Sequence, residues 1–291
     1  MDLQVENQTG RTAVITGANS GLGRETAAVL AAKGARVVLA VRNPRSGREV
    51  ADQLPSDVEV RRLDLADLAS VRAFAAEFTE PIDLLINNAG IMIPPLSRTA
   101  DGFESQFGTN HLGHFALTNL LLRQIRGRVV TVSSNGHRAG SIDFADLNWE
   151  RRRYNAVAAY GQSKLANLLF TAELQRRLIE AGSPVLATAA HPGAAATNLL
   201  KVNTPVVSSL AKFVTRLVAR TPAQGALPTL YAALADLPGN SYAGPRGFLP
   251  SREEPKLVGR SAKARDGEVA RRLWTVSEEL TGVRFPLAVP A

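Results

Sequence analysis

Between residues 11 and 41 the chain carries a pattern that few folds accommodate. Arg11-Thr12-Ala13-Val14-Ile15-Thr16 reads as a short buried strand and runs directly into Gly17-Ala18-Asn19-Ser20-Gly21-Leu22-Gly23. A helical pattern then covers 24–33, Gly34 stops it, and a second apolar run fills 35–41. Strand, glycine turn, helix and strand follow one another within the ~30 residues of a dinucleotide-binding βαβ unit. Glycines let the main chain approach a pyrophosphate, and the helix N-terminus behind them offers N–H groups to its charge. Gly17, Asn19, Ser20, Gly21, Leu22 and Gly23 are therefore the candidate pyrophosphate residues, although their spacing is GxxxGxG and not the general GxGxxG.

The rest of the chain repeats the alternation. Strands are expected at 58–65, 82–86, 128–132, 185–190 and, short, at 241–244. Helices are expected at 68–78, 102–122, 154–179, 262–280 and from Thr221-Pro222 to about 235, where Pro takes the first helical position. Polar and glycine residues gather where strands end: Asp64-Leu65, Asn87-Asn88-Ala89-Gly90, Ser133-Ser134, and His191-Pro192-Gly193 with Thr197 beyond. The expected fold is α/β: one Rossmann-like, doubly wound parallel sheet over residues 1–291, with a substrate-side lid at about 194–220. Ligands of such sheets lie outside the carboxyl ends of the strands, where these residues cluster.

Inside the 154–179 helix, Tyr160 and Lys164 are four apart and share a face. A phenol with an ordinary pKa near ~10 is a poor base at neutral pH, and a neighbouring ammonium is expected to lower it. That pair suits carbonyl/alcohol interconversion. The cofactor follows from the end of the second strand: Val41 leads into Arg42, with Arg45 and Arg48 behind and no carboxylate. An arginine there accommodates a 2′-phosphate, so NADP is expected rather than NAD. Taken singly, each residue has a structural reading as well. Tyr160 can be a core tyrosine, Lys164 a solvated face, Ser133-Ser134 a strand end and Asn110 a turn.

Composition excludes several classes. The chain has no cysteine, and His111, His114, His137 and His191 show no zinc-type spacing, so no metal site is expected. The net charge is +8, but the basic residues are scattered, which argues for solvated helix faces and against nucleic acid. No run reaches the ~18 apolar residues of a membrane span, and the polar N-terminal stretch has no signal-peptide core, so the expected location is the cytoplasm. Between 199 and 220, Val206, Val207, Leu210, Phe213, Val214, Leu217 and Val218 form an apolar stripe, with Lys212, Arg216 and Arg220 spaced by four. That segment reads either as a lid over an apolar pocket or as a basic amphipathic helix resting on a membrane surface.

Together these residues resemble the short-chain dehydrogenase/reductase family, over Thr16 to about Gly193, and within it the retinol-dehydrogenase-like and WW-domain-oxidoreductase-like group. The group's likeness rests on the insert 135–159, the run Ser163-Lys164-Leu165-Ala166-Asn167-Leu168-Leu169-Phe170, and three later stretches: Thr221-Pro222-Ala223-Gln224-Gly225-Ala226, Tyr242-Ala243-Gly244-Pro245, and 273–280. The resemblance implies a catalytic set of Asn110, Ser134, Tyr160 and Lys164, with Ser133 the alternative serine. It implies that Asp64 and Leu65 meet the adenine and that Asn88, Ala89 and Gly90 belong to a sheet-stabilising, cofactor-facing motif. It places Pro192, Gly193 and Thr197 at the nicotinamide end. Lys164 would hold the nicotinamide ribose, and Asn110 would position a water linking Lys164 to solvent. The implied activity is NADPH-dependent interconversion of a lipophilic aldehyde or ketone and its alcohol. A cofactor-binding redox sensor or interaction protein on the same fold is the alternative, as is an enzyme reducing a C=C bond. Dimers and tetramers occur in the family, which makes a homo-oligomer one expectation.

Overall fold

Apolar, largely β-branched segments build the centre of the molecule. The computed structural model describes residues 5–55, 57–193, 221–246 and 255–288. Its strands are β1 (Thr12–Thr16), β2 (Arg36–Val41), β3 (Val58–Arg62), β4 (Ile82–Asn87), β5 (Ile125–Val132), β6 (Leu186–Ala190), β7 (Tyr242–Gly244) and β8 (Lys256–Leu257). They form an eight-stranded sheet in the order β3-β2-β1-β4-β5-β6-β7-β8. Every pair is parallel except β7–β8, which is antiparallel. The first six strands follow the Rossmann order, which reverses direction between β1 and β4 and opens a crevice there.

Helices cover both faces. On one, α1 (Gly21–Ala32) and α7 (Pro222–Leu234) bury Ala27, Leu30, Leu230 and Ala233 against Ile15, Val37 and Leu39. On the other, α3 (Leu68–Ala76), α5 (Gly113–Leu121), α6 (Ala156–Glu180) and α8 (Gly267–Thr281) pack Phe74, Leu117, Leu168 and Trp274 against Val14, Val38 and Val129. Strands buried on both sides read as continuous apolar runs, as 12–16 and 36–41 do. Trp274 stacks on Phe170 with ring centroids 5.7 Å apart and meets Phe115 edge-on at 4.9 Å, which fastens α8 to α5 and α6. Aromatic pairs of this kind contribute about 0.5–1.5 kcal/mol beyond their buried area. Local chemistry starts the helices. Asn155 accepts from Val157 N and Ala158 N ahead of α6, Asp266 caps α8, and Thr221 with Gln224 forms a capping box on α7.

Several boundaries differ from expectation. α1 begins at Gly21, so the last glycines of the turn are already its first turn. β3 ends at Arg62, before Asp64-Leu65, and β5 starts at Ile125. A helix α2 (Pro44–Ala51) follows β2, where Asn43 accepts from Arg45 N and Pro44 occupies the first turn. The stretch 102–122 is not one helix. Glu104 caps a short α4 (Ser105–Phe107), a π-helical turn covers Gly108–Leu112, and α5 resumes at Gly113. A π-turn inserts one residue and re-aims the side chains after it, a device found often at functional sites. The lid segment 194–220, with its apolar stripe and Thr197, lies outside the described residues. Among the described residues no helix is long and apolar enough to cross a membrane.

Candidate active site

A cleft of about 500 Å³ runs along the carboxyl ends of the strands. Gly17, Asn19, Ser20, Gly21 and Leu22 line one end, Arg42, Asp64 and Leu65 flank it, and Asn88, Ala89 and Gly90 form its floor. Tyr160, Lys164 and Pro192 close the far end. Ser133 is also in the lining, whereas Gly23, Asn110, Ser134 and Gly193 are not: Gly23 packs on Asn88, Asn110 bonds to Ile91, Ser134 to Tyr160, and Gly193 N to His191 beside Pro192.

The glycine turn is a main-chain structure. Gly17 and Gly21 have φ of 66° and 54°, a region side chains rarely adopt. A Cβ on Gly23 would lie 2.5 Å from Asn88 Nδ2 and 2.7 Å from Gly17 O, so a larger residue cannot be seated there without displacing the turn. Thr16 ties this turn to the floor: its Oγ1 accepts from Asn88 N and Ala89 N, both at 2.9 Å, while Asn88 Nδ2 donates to Thr16 O. His114 completes the network. Its Nδ1 lies 3.1 Å from Asn110 O, a pure acceptor, so Nδ1 carries the hydrogen and Nε2 accepts from Thr16 Oγ1 at 2.9 Å. Burial holds His114 far below the imidazole range, at about 4, and Lys164 adds to the effect. It is a neutral strut. Neither Thr16 nor His114 was anticipated as a connector, because their partners are remote in sequence.

At the far end the helix spacing brings Tyr160 and Lys164 together as expected, but not in the expected electrostatic relation. Lys164 Nζ lies 5.7 Å from the Tyr160 ring centroid and donates to Val132 O at 3.1 Å. Burial lowers the Lys164 pKa to about 8. Burial also raises the Tyr160 phenol, with the Ser134 hydroxyl opposing, and Lys164 is not among the groups that move it. The expected lowering of the phenol by the ammonium is therefore corrected: desolvation raises it, and the group that opposes is the Ser134 hydroxyl. Of the two serines, Ser133 is buried and donates to Lys164 O at 2.7 Å, which commits it to structure. Ser134 sits at the end of the strand with its Oγ accepting from Gly136 N at 3.1 Å.

The π-turn aims Asn110 between two elements. Its Nδ2 donates to Ile91 O and to Ser163 Oγ, both at 3.0 Å, and its Oδ1 accepts from Ile91 N at 2.8 Å. Both amide hydrogens are engaged, so this side chain braces α6 against the loop after β4. The same loop supplies Ile91, Met92 and Pro94 to the cleft. Ile93 within it has φ of 54°, a genuine outlier for a β-branched residue, and its N–H is held by Gln106 Oε1 at 2.9 Å. Gln106 in turn donates to Tyr154 OH and Ala156 O. Sequence reading missed this wall because its supports come from three separate segments.

Comparison with known proteins agrees with the geometry. A family model described as short chain dehydrogenase matches residues 11–206. The chain is 44% identical over 298 aligned residues to retinol dehydrogenase 13 of Homo sapiens, covering 95% of this chain and 86% of that protein. The crystal structure of an uncharacterized protein from Mycobacterium paratuberculosis is similar at 53% identity and a TM-score of 0.85, covering 98% of both chains. A structure described as an NAD(P)-dependent gluconate 5-dehydrogenase from Beutenbergia cavernae, with bound NADP at low occupancy, is 26% identical. Its TM-score is 0.63, with 82% of this chain and 96% of that one covered.

Proposed function

The chain belongs to the short-chain dehydrogenase/reductase family, and on that premise we propose that it is an NADP(H)-dependent oxidoreductase interconverting a lipophilic aldehyde or ketone and its alcohol. The observation that carries the reading is the cleft itself, which has a main-chain cradle at one end and the half-buried Tyr160 beside the buried Lys164 at the other. The residues fit a dinucleotide. Gly17 and Gly23 leave the turn without side-chain bulk, and Arg42 is exposed at the end of β2 with no acidic residue beside it in the lining until Asp64. Lys164 Nζ uses one of an ammonium's three hydrogens on Val132 O, which leaves donors for a ribose. Apolar Ile91, Met92 and Pro94 near the Tyr160 end favour a lipophilic substrate.

Hydride chemistry is what the nicotinamide supplies when bound. Ser134 donates a hydrogen bond to the substrate oxygen, where negative charge develops. Tyr160, protonated at neutral pH as a phenol and the more so for its desolvation, gives its proton to that oxygen in the reducing direction. Lys164, its pKa lowered to about 8 by burial, exchanges protons near physiological pH. Asn110 keeps the Ile91 loop and α6 at a fixed distance, so the tyrosine and the apolar wall stay in register.

The test is NADPH oxidation against straight-chain aldehydes, aryl ketones and retinal, with NADH, Tyr160→Phe and Arg42→Asp in parallel. The expected result is turnover with NADPH and a loss of roughly a hundredfold or more in Tyr160→Phe. In Arg42→Asp the preference shifts toward NADH. Tight NADPH binding with no reaction across the panel would instead favour the redox-sensor reading, and reduction of a conjugated C=C bond would favour the third. A wild-type preference for NADH would remove the role given to Arg42.

A further inference from the structure

The turn that carries Ser134 is held from two sides. Ser134 O accepts from His137 N at 3.1 Å and lies 2.7 Å from His137 Nδ1. A carbonyl only accepts, so Nδ1 carries the hydrogen. On the other side of the ring, Ser261 N–H donates to Nε2 at 3.2 Å, and a main-chain amide only donates. The two neighbours thus demand one neutral tautomer. The ring is fully buried and lies edge-on to Tyr242 at 5.8 Å. Burial keeps it below the ordinary imidazole range, and the facing Arg138 and Arg260 add to that.

Two further rungs join the same segments. Arg138 Nη2 donates to Gly259 O at 2.8 Å, and Lys263 Nζ donates to Gly140 O at 3.1 Å. Opposite this ladder the turn presses on α6 one residue past Tyr160. A Cβ on Gly140 would sit 2.2 Å from Gly161 O, and one on Gly161 would sit 3.0 Å from Gly136 O. The serine turn is therefore wedged between the helix that carries the tyrosine and the 259–263 segment.

We propose that His137 is a positioning residue for Ser134 and acts by tying the serine turn to residues 259–263. The inference rests on the catalytic role given above to Ser134. A serine hydroxyl that must meet both a substrate oxygen and the Tyr160 phenol loses rate steeply when its main chain shifts by an ångström or so. His137 bridges the carbonyl of that serine to the main chain of Ser261, so a segment remote in sequence sets the geometry of the reacting end.

His137→Leu, His137→Asn, Lys263→Ala and Ser134→Ala are compared by kcat, KM, NADPH dissociation constant and thermal midpoint, with the best substrate of the panel above. Asparagine keeps a donor where Nδ1 stood and loses the bond from Ser261. The expected result is a fall in kcat of roughly tenfold to a hundredfold in His137→Leu. NADPH affinity stays within about twofold, since this turn lies at the other end of the cleft from the cradle. His137→Asn recovers most of the rate, and Lys263→Ala loses little. Hydrogen exchange of the 134–140 amides is measured alongside and is expected to accelerate in His137→Leu, with 17–23 unchanged; this arm reads the tether whether or not a panel substrate reacts. Wild-type kcat in His137→Leu, with Ser134→Ala inactive, would overturn the inference and leave the proposed function standing. Wild-type kcat in Ser134→Ala would remove the serine role itself. Unchanged exchange at 134–140 in His137→Leu, or no advantage of Asn over Leu, would also overturn the inference.

Discussion

The glycine turn at 16–23 and the serine turn at 133–140 both lie at the carboxyl ends of strands in one sheet, and they are stabilised in opposite ways. The first is local. Its conformation comes from glycines at positive φ and from main-chain room that a Cβ would remove, while Thr16 joins it to the loop after β4, Gly17 N to Ala40 O on β2 and Asn19 to Ser46. The second has a local cap at Ser134 but is also held from outside, by Gly161 on α6 and by Gly259, Ser261 and Lys263 from a segment remote in sequence. Binding a constant group such as a pyrophosphate requires a cradle that can be encoded in eight consecutive residues. Placing a hydroxyl against a proton donor requires two distant segments to agree, and here the fold supplies that agreement.

The strongest way to sharpen the contrast is to add a methyl group to each turn. Gly23→Ala places a Cβ against Asn88 Nδ2 and Gly17 O, and NADPH affinity is expected to fall by roughly a hundredfold or more, read by fluorescence titration. Gly140→Ala is expected to destabilise by about 1–3 kcal/mol in urea denaturation and to cut kcat, while the surviving folded protein binds NADPH normally. If Gly140→Ala instead weakened NADPH as much as turnover, the two turns would not be separable.

Lys164 offers a smaller effect with a defined pH dependence. Its pKa falls from 10.5 to about 8 on folding, so between about 8 and 10.5 the unfolded chain binds more protons and stability rises with pH. Below pH 8 the buried ammonium costs stability. Lys164→Met should therefore raise stability at pH 7 by about 1–3 kcal/mol while abolishing turnover, and the gain should vanish as pH approaches 10.5. A further effect is acid sensitivity. His111 and His114 are held near 3 and 4 by burial, so their contribution is complete above about 6.5 and is lost as pH falls toward 4. Replacing either with Gln should flatten the acid limb of a denaturation-midpoint profile.

The same local-versus-remote distinction governs what could be read from the sequence. The βαβ unit, the strand-end clusters and the Tyr160–Lys164 pair were legible because each is encoded within a few residues. Helix α2 could also have been read, since Asn43-Pro44 is a start signal in plain view. The π-turn at 108–112 was not legible: 102–122 has helical periodicity throughout, and the packing of Gly108 on Thr99 and of Gly113 on Leu65, where a Cβ on either would lie 2.4 Å from its neighbour, shows how tightly the chain is constrained there. The direction of the Tyr160 shift was misjudged because spacing gives proximity but says nothing of desolvation. Ser261, Gly259 and Gln106 carry no motif at all. They matter only through partners that the fold brings to them.

The most direct test of the central claim follows the transferred atom. NADPH deuterated at the nicotinamide C4 is incubated with the panel carbonyls, and the alcohol products are examined by mass spectrometry. The account predicts one deuterium on the carbinol carbon, formed by the wild type and lost in Tyr160→Phe with NADPH still bound. Deuterium absent from every product of a chain that binds NADPH, or undiminished transfer in Tyr160→Phe, would contradict it.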